Sequence, residues 1–450
     1  MPENNSRETA LSLVLKIVWD GVYFQEAVSY GLSGTAFSAR DRAFIIRLVR
    51  GVIEKKTALD AVLGKVSRTP PEKMDRRILG VLYLGAYQLL FTDVAPYAAV
   101  NESIGLLKGK KEQGLRGFVN AVLRRISREK DTLLSGLSKA ELAGLSPEIF
   151  RVFREGCGEE KADKIAEAFE KENAKGQCIR LNLSKGPVEA LLAALKKDGL
   201  EAENSTYSAD TYFVREQQPT AADSFKNGLF YIQDLGAALV VEAVRPFIEN
   251  AGQDFFVLDA CASPGGKTLH AADILNGKGQ ILSADISAEK IRKMDENIAR
   301  SGFTNIRTAV MDAARFYPEL DSRAGLVIAD LPCTGLGVLR EKPDIRLHYT
   351  EEKRRDLIRL QREMLRNLAR YVKPGGVLLY ATCTLDPDEN EKQFAAFLED
   401  EPCFRPLSFM LPGFPERKEE MAAGRLTLFP DEYPGGGFFL SLAKRTEAGT

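Results

Sequence analysis

Cysteine and histidine are scarce in this chain. Among 450 residues there are six cysteines (Cys157, Cys178, Cys261, Cys333, Cys383 and Cys403), none in a C-x-x-C pair. That is too sparse for a disulfide framework. Only two histidines, His270 and His348, are present. Structural zinc, a histidine-based triad and a metallohydrolase centre therefore lack their ligands, and no metal is expected. No apolar run reaches the roughly 18 residues that a membrane helix needs. The polar start, MPENNSRETA, lacks the charged-then-apolar plan of a secretory leader. A soluble cytoplasmic protein with no membrane partner is expected. Polyproline, polyglutamine and internal repeats are also missing.

What is present suits a large core. The chain is 44% hydrophobic, and its length predicts two or three domains. The net charge of −1 hides an asymmetry: residues 1–130 carry 21 Lys+Arg against 13 Asp+Glu, and the remainder 41 against 50. A basic first third suits a polyanionic partner, or else a solvated helical surface. Residues 1–135 read as a compact helical domain. In RETALSLVLKIVWDGV, Leu11, Val14, Leu15 and Val18 share a helical face, with Ser6 available as N-cap. Thr69-Pro70-Pro71 and Asp93–Pro96 are breaks, and RRILGVLYLGAYQLLF between them is apolar nearly all round, as a central bundle helix is. Residues 136–225 read as connecting helices, the last EEKADKIAEAFEKENA, and a small α+β unit containing the strands QCIRLNL and TYFVRE.

Over residues 226–446 the rhythm changes to apolar strand runs, several separated by helical segments such as AEKIRKMDENIARSG. This alternation predicts a parallel α/β sheet covered on both faces, whose ligands sit beyond the carboxyl ends of the strands. Polar or reactive residues stand at those ends: Asp259, Asp285, Asp312, Asp330 with Cys333, and Cys383. The first strand runs into LDACASPGGKT. A phosphate loop would need glycine five residues before Gly266, where Cys261 stands, and no G-x-G-x-x-G occurs. Asp285, 18 residues past Lys267, suits the two hydroxyls of a ribose, and Asp312 an adenine edge. One such acid is commonplace as a helix cap; three after consecutive strands are not. Adenosine without a phosphate loop points to S-adenosylmethionine.

Two apolar strands, LVIADLPC and VLLYATC, each end near a cysteine. A lone cysteine there is ordinarily a small buried hydrophobe. A pair fits methylation of a pyrimidine at C5. That carbon is a poor nucleophile until a thiolate adds to C6, and a second group must later help remove the C5 proton. Asp330 can hydrogen-bond the cytosine N3/N4 edge.

These residues resemble the RNA cytosine-5 methyltransferases of the Sun (Fmu, RsmB-like) type. The matching segments are Asp259–Thr268, Asp285, Asp312, Asp330–Cys333, Pro343-Asp344-Ile345-Arg346 and Thr382-Cys383; Asn101-Glu102 and GFVNAVLRR look like the family's NusB-like RNA-binding domain. The resemblance implies a NusB-like helical domain, a small α+β (RRM/ferredoxin-like) linker domain and a Rossmann-like class I methyltransferase domain. It implies that Cys261, Ala262, Ser263, Pro264, Gly265, Gly266, Lys267, Asp285, Asp312 and Asp330 hold the methyl donor. It makes Cys383 the nucleophile, assisted by Lys267 and Asp330, and Cys333 the residue of product release. The implied substrate is a cytidine of 16S ribosomal RNA, with no obligate protein partner; a transfer-RNA methylase and an inert NusB-like RNA-binding module are the alternatives. Ser263 and Leu331 replace the usual alanines, Thr384 a common serine, and Gly436 an acid or histidine.

Overall fold

The computed structural model describes residues 5–171, 175–215 and 218–447. Two compact units emerge, Met1–Lys171 with Leu339–Thr350, and Glu172–Val338 with Glu351–Thr450.

The first unit is helical. Ser6–Trp19, Ala39–Glu54, Lys56–Val66 and Arg116–Arg128 surround Arg76–Phe91, in which every residue from Ile78 to Leu90 is buried. The all-round apolar sequence of that helix requires this central place. Gly51 sets one crossing: a Cβ there would lie 1.9 Å from the Tyr87 ring. The first helix is capped by Asn5, whose side chain accepts from the N–H groups of Arg7 and Glu8, not by Ser6, whose hydroxyl reaches Asp41. Asn5 wins because the cap needs extended backbone just outside the first turn.

The expected boundary at 135/136 does not coincide with the break between units. Helices Pro147–Cys157 and Glu159–Glu170 join the first unit. Lys55 Nζ donates to the Leu142 carbonyl at 2.6 Å and meets Glu170 at 3.2 Å. The Pro343–Arg346 motif joins it too. Asp344 accepts the Phe24 N–H at 3.0 Å, and Arg346, buried, donates to the carbonyls of Leu339 and Ala143 at 2.6 and 3.3 Å. Burial lowers the Arg346 pKa to about 10. Residues 172–174, at the end of the expected helix 159–174, and Glu216, at the end of the expected strand 211–216, lie outside the described residues.

The second unit holds two sheets. The smaller contains β1 (Gln177–Leu181), β2 (Ala202–Asn204), β3 (Thr211–Val214) and β4 (Phe230–Ile232), antiparallel in the order β2-β3-β1-β4. That is the split ferredoxin-like arrangement, with Leu191 and Leu195 of helix Val188–Lys197 in its core. The larger contains β5 (Phe256–Asp259), β6 (Gln280–Asp285), β7 (Ile306–Val310), β8 (Ala324–Asp330), β9 (Val372–Thr382), β10 (Phe404–Pro406), β11 (Arg425–Leu428) and β12 (Phe438–Arg445). Its order is β10-β12-β9-β8-β5-β6-β7, with β11 also on β12. The strands β5 to β9 are parallel as expected, but β12 runs antiparallel to β9, so the sheet is mixed. A C-terminal strand entering beside β9 from the opposite end needs no crossover helix, which is why alternation alone did not reveal it.

Arg180 of β1 is fully buried, bonded to Tyr231 Oη (2.8 Å), Asp210 (3.1 Å) and Asp273 (3.2 Å). Beside it, Glu242 pairs with Arg245 at 2.6 Å and with His270 Nε2 at 2.9 Å. Burial, with Arg180 nearby, drives the His270 pKa down to about 3. His270 is thus a neutral structural side chain.

Candidate active site

The chain order of the larger sheet reverses between β5 and β8, and the crevice beyond their carboxyl ends is where such folds place ligands. A cavity of ≈ 160 Å³ lies there, walled by Gln233, Asp234, Asp259, Lys267, Asp330 and, from the loop between, Cys261–Pro264 and Gly266. Gly265, at φ +102°, turns this loop into the helix Gly266–Leu275, a conformation that strains any residue with a Cβ. Thr268 donates to Asp259 Oδ2 at 2.7 Å. Among the described residues Asp259 Oδ1 has no partner, and burial pushes the pKa of this carboxyl up to about 7. Both amide atoms of buried Gln233 likewise lack a partner among the described residues. Buried polar atoms are mostly satisfied, so orphans lining one cavity fit it to a polar ligand.

Lys267 Nζ donates to Asp330 Oδ2 at 2.6 Å. Burial opposes its charge, but Asp330, Asp259 and Cys383 together outweigh this and raise its pKa. The sequence makes Lys267 a stabiliser of a Cys383 thiolate; its direct contact is with Asp330. The sulfurs of Cys333 and Cys383, fifty residues apart in the chain, stand 3.4 Å apart. Hydrogen bonding to Cys383 and burial hold the Cys333 pKa well above that of an ordinary thiol. Burial, with Asp285 and Asp330 nearby, pushes the Cys261 thiol up to about 12, which leaves it an inert wall.

Asp285, Asp312 and Gly265 do not line the cavity. Buried Asp285 accepts the Ser263 N–H at 3.3 Å and pairs with Lys290 at 3.1 Å. Asp312 sits beyond β7, the next strand; its carboxylate accepts the Ala314 N–H at 3.0 Å and its own N–H meets Tyr317 Oη at 3.1 Å. Orphaned amide and carboxyl groups with a cationic neighbour suit a zwitterionic amino-acid end, and a buried carboxylate suits ribose hydroxyls. S-adenosylmethionine combines the two.

Residues 247–444 match the family model of the 16S rRNA methyltransferases RsmB/F, and residues 4–128 match the NusB family. A probable ribosomal RNA small subunit methyltransferase B from Bacillus subtilis is 30% identical over 98% of both chains. The chain belongs to the RsmB/F methyltransferase family. Its fold is shared with PH0851, whose crystal structure superimposes with a TM-score of 0.75 at 22% identity over 97% of this chain and 99% of that one. A methyltransferase homolog from Pyrococcus horikoshii gives 0.55 at 26% identity, over 67% and 100%.

For this RsmB/F-type methyltransferase, sequence reasoning missed two pairs of residues. Gln233-Asp234 follow β4 in the smaller sheet, and nothing local in FYIQDLG announces that they wall a cavity of the larger one. Burial raises the Asp234 pKa, against hydrogen bonds from the N–H groups of Gly236, Ala237 and Gly436. At Gly436, where an acid or histidine is usual, the contact is thus made by main chain. Next to it, Gly437 N–H reaches the Gly337 carbonyl at 2.6 Å. The second pair, Glu389-Asn390, lies in the acidic turn LDPDEN after Cys383; its signal is the nearness of that turn to the second strand-end cysteine.

Proposed function

We propose that this enzyme methylates C5 of a cytidine in 16S ribosomal RNA through a covalent bond between Cys383 and C6. The observation that carries this reading is the 3.4 Å approach of the two sulfurs beside the Lys267–Asp330 pair. Gln233, Asp259, the Cys261–Lys267 loop, Asp285 and Asp312 would hold S-adenosylmethionine, which would supply an electrophilic methyl group.

The Cys383 thiolate adds to C6, and the electrons of the C5–C6 double bond make C5 nucleophilic. Asp330, fixed by Lys267, accepts from the cytosine amino edge. After C5 has taken the methyl group, its remaining proton must leave. While Cys383 is free to ionise, its charge keeps Cys333 protonated. Once that sulfur is bonded to carbon, this suppression ends, and Cys333 can release its proton to solvent and take the one on C5. The double bond then reforms, and the electrons of the C6–S bond return to Cys383.

A denaturing-gel mobility assay with substrate RNA and methyl donor tests the roles. Cys383→Ala should give no denaturation-resistant complex and no methylation, and Cys333→Ala should accumulate the complex. The reverse pattern would make Cys333 the nucleophile, and no complex in any variant would return both to the hydrophobic core. Bisulfite mapping of ribosomal RNA from cells lacking the protein locates the target; intact 16S methylation beside a lost transfer-RNA mark would favour the transfer-RNA reading.

A further inference from the structure

The turn after Cys383, LDPDEN, has no part in the chemistry above, yet two of its side chains hold both cysteine loops. Asn390 brackets Cys383: its Oδ1 accepts from Thr382 Oγ1 at 2.6 Å, and its Nδ2 donates to the Thr384 carbonyl at 3.0 Å. Glu389 reaches the other loop. Its Oε2 accepts the Thr334 N–H at 2.9 Å and Gln361 Nε2 at 2.8 Å, and its Oε1 accepts the Thr334 hydroxyl. Gln361 also donates to the Pro332 carbonyl at 2.9 Å, so both neighbours of Cys333 are held. Thr384 Oγ1 closes the circuit on Thr334 Oγ1 at 2.8 Å. Glu389 and Asn390 are each 1% exposed or less. A carboxyl so deeply placed is costly unless hydrogen-bonded, and here the bonds to Glu389 come from the Cys333 loop and the helix residue Gln361.

We propose that Glu389 and Asn390 form a positioning clamp that sets the Cys333 sulfur against the Cys383 sulfur, with Glu389 governing the release half of the reaction. This rests on the two-cysteine reading above. Attack needs only Cys383 and the turn that Asn390 holds. Release needs Cys333 to meet the C5 proton while the ring is still bonded to Cys383, and Glu389 fixes the Cys333 loop for that task.

The test uses the full chain with substrate RNA and S-adenosylmethionine. Glu389→Ala should bind methyl donor as the wild type does and transfer methyl in a single turnover. Its multiple-turnover rate should fall about 10- to 100-fold, the scale of a misplaced reacting group, while the denaturation-resistant complex accumulates. Glu389→Gln should restore release, since an amide can accept the Thr334 N–H and donate to its hydroxyl. Should Glu389→Ala fold poorly, Thr334→Val, which keeps shape and removes one anchor, must accumulate the complex in the same direction. Wild-type release in both Glu389→Ala and Thr334→Val overturns the clamp, as does a Gln variant no better than Ala. Cys333→Ala run alongside separates the two levels. Complex with Cys333→Ala but none with Glu389→Ala sinks the clamp alone, and none with either sinks the two-cysteine reading beneath it.

Discussion

Replacing Asp285 with alanine should weaken S-adenosylmethionine binding by about 1.5–3 kcal/mol, the net worth of hydrogen bonds to a charged group. At 1.4 kcal/mol per decade this is roughly a 10- to 150-fold rise in Kd. Asp285 is 4% exposed and already has Ser263 N–H and Lys290 as partners. A carboxylate accepts about four hydrogen bonds, which leaves capacity for the two hydroxyls of a ribose. Lys290 supplies the contrast. Its side chain is 54% exposed, and such a surface pair is worth about 0–1 kcal/mol, so Lys290→Ala should raise Kd less than about fivefold. Asp285→Asn, which keeps one acceptor oxygen, should fall between. Isothermal calorimetry measures all three. An unchanged Kd in Asp285→Ala, or an equal loss in Lys290→Ala, refutes a ribose-binding carboxylate at this strand end.

Two further outcomes follow from charge. If the exposed Lys110, Lys111, Arg124 and Arg128 of the helical unit track phosphates, replacing all four with glutamine should flatten the salt dependence of RNA binding. The log–log slope should change by about 0.7–0.9 for each phosphate no longer neutralised, and an unaltered slope would mark them as a solvated surface. His270 has a folded pKa near 3, below its ordinary value of 6.5. The unfolded chain therefore binds the extra proton, and the stability contributed by neutral His270 is whole above pH about 6.5 and lost progressively toward pH 3. In urea unfolding between pH 7 and 4, His270→Gln should show a shallower acid loss than wild type; parallel curves would refute a buried neutral imidazole.

Much of the catalytic half was legible because its signals are local. An apolar run ending in an acid or a cysteine, followed by a glycine loop or an acidic turn, defines a parallel strand and its functional end without knowledge of neighbours. The strands β5 to β9 and their terminal residues were therefore readable, as was the central place of Arg76–Phe91, a helix apolar on every side. The N-cap was misassigned by one residue because Asn5 and Ser6 are both competent caps and only backbone conformation separates them. The break between units follows contacts that no local pattern announces: Leu339–Thr350 is held by buried Phe24 and Ala143, and Glu170 meets Lys55, all far apart in the chain.

By itself, the sequence determined which residues stand at strand ends, since period and composition act over a few residues. Tertiary structure decided which of those ends share a space. It brought Cys333 within 3.4 Å of Cys383 and placed Gln233 opposite the loop after β5. It directed the charge of Lys267 to Asp330 and gave Glu389 the Cys333 loop, and Asn390 the Cys383 turn, to hold. Strand order and burial set these relations. A carboxyl or a thiol has its charge, partners and pKa fixed by the groups a few ångströms away in space, which lie tens of residues away along the chain.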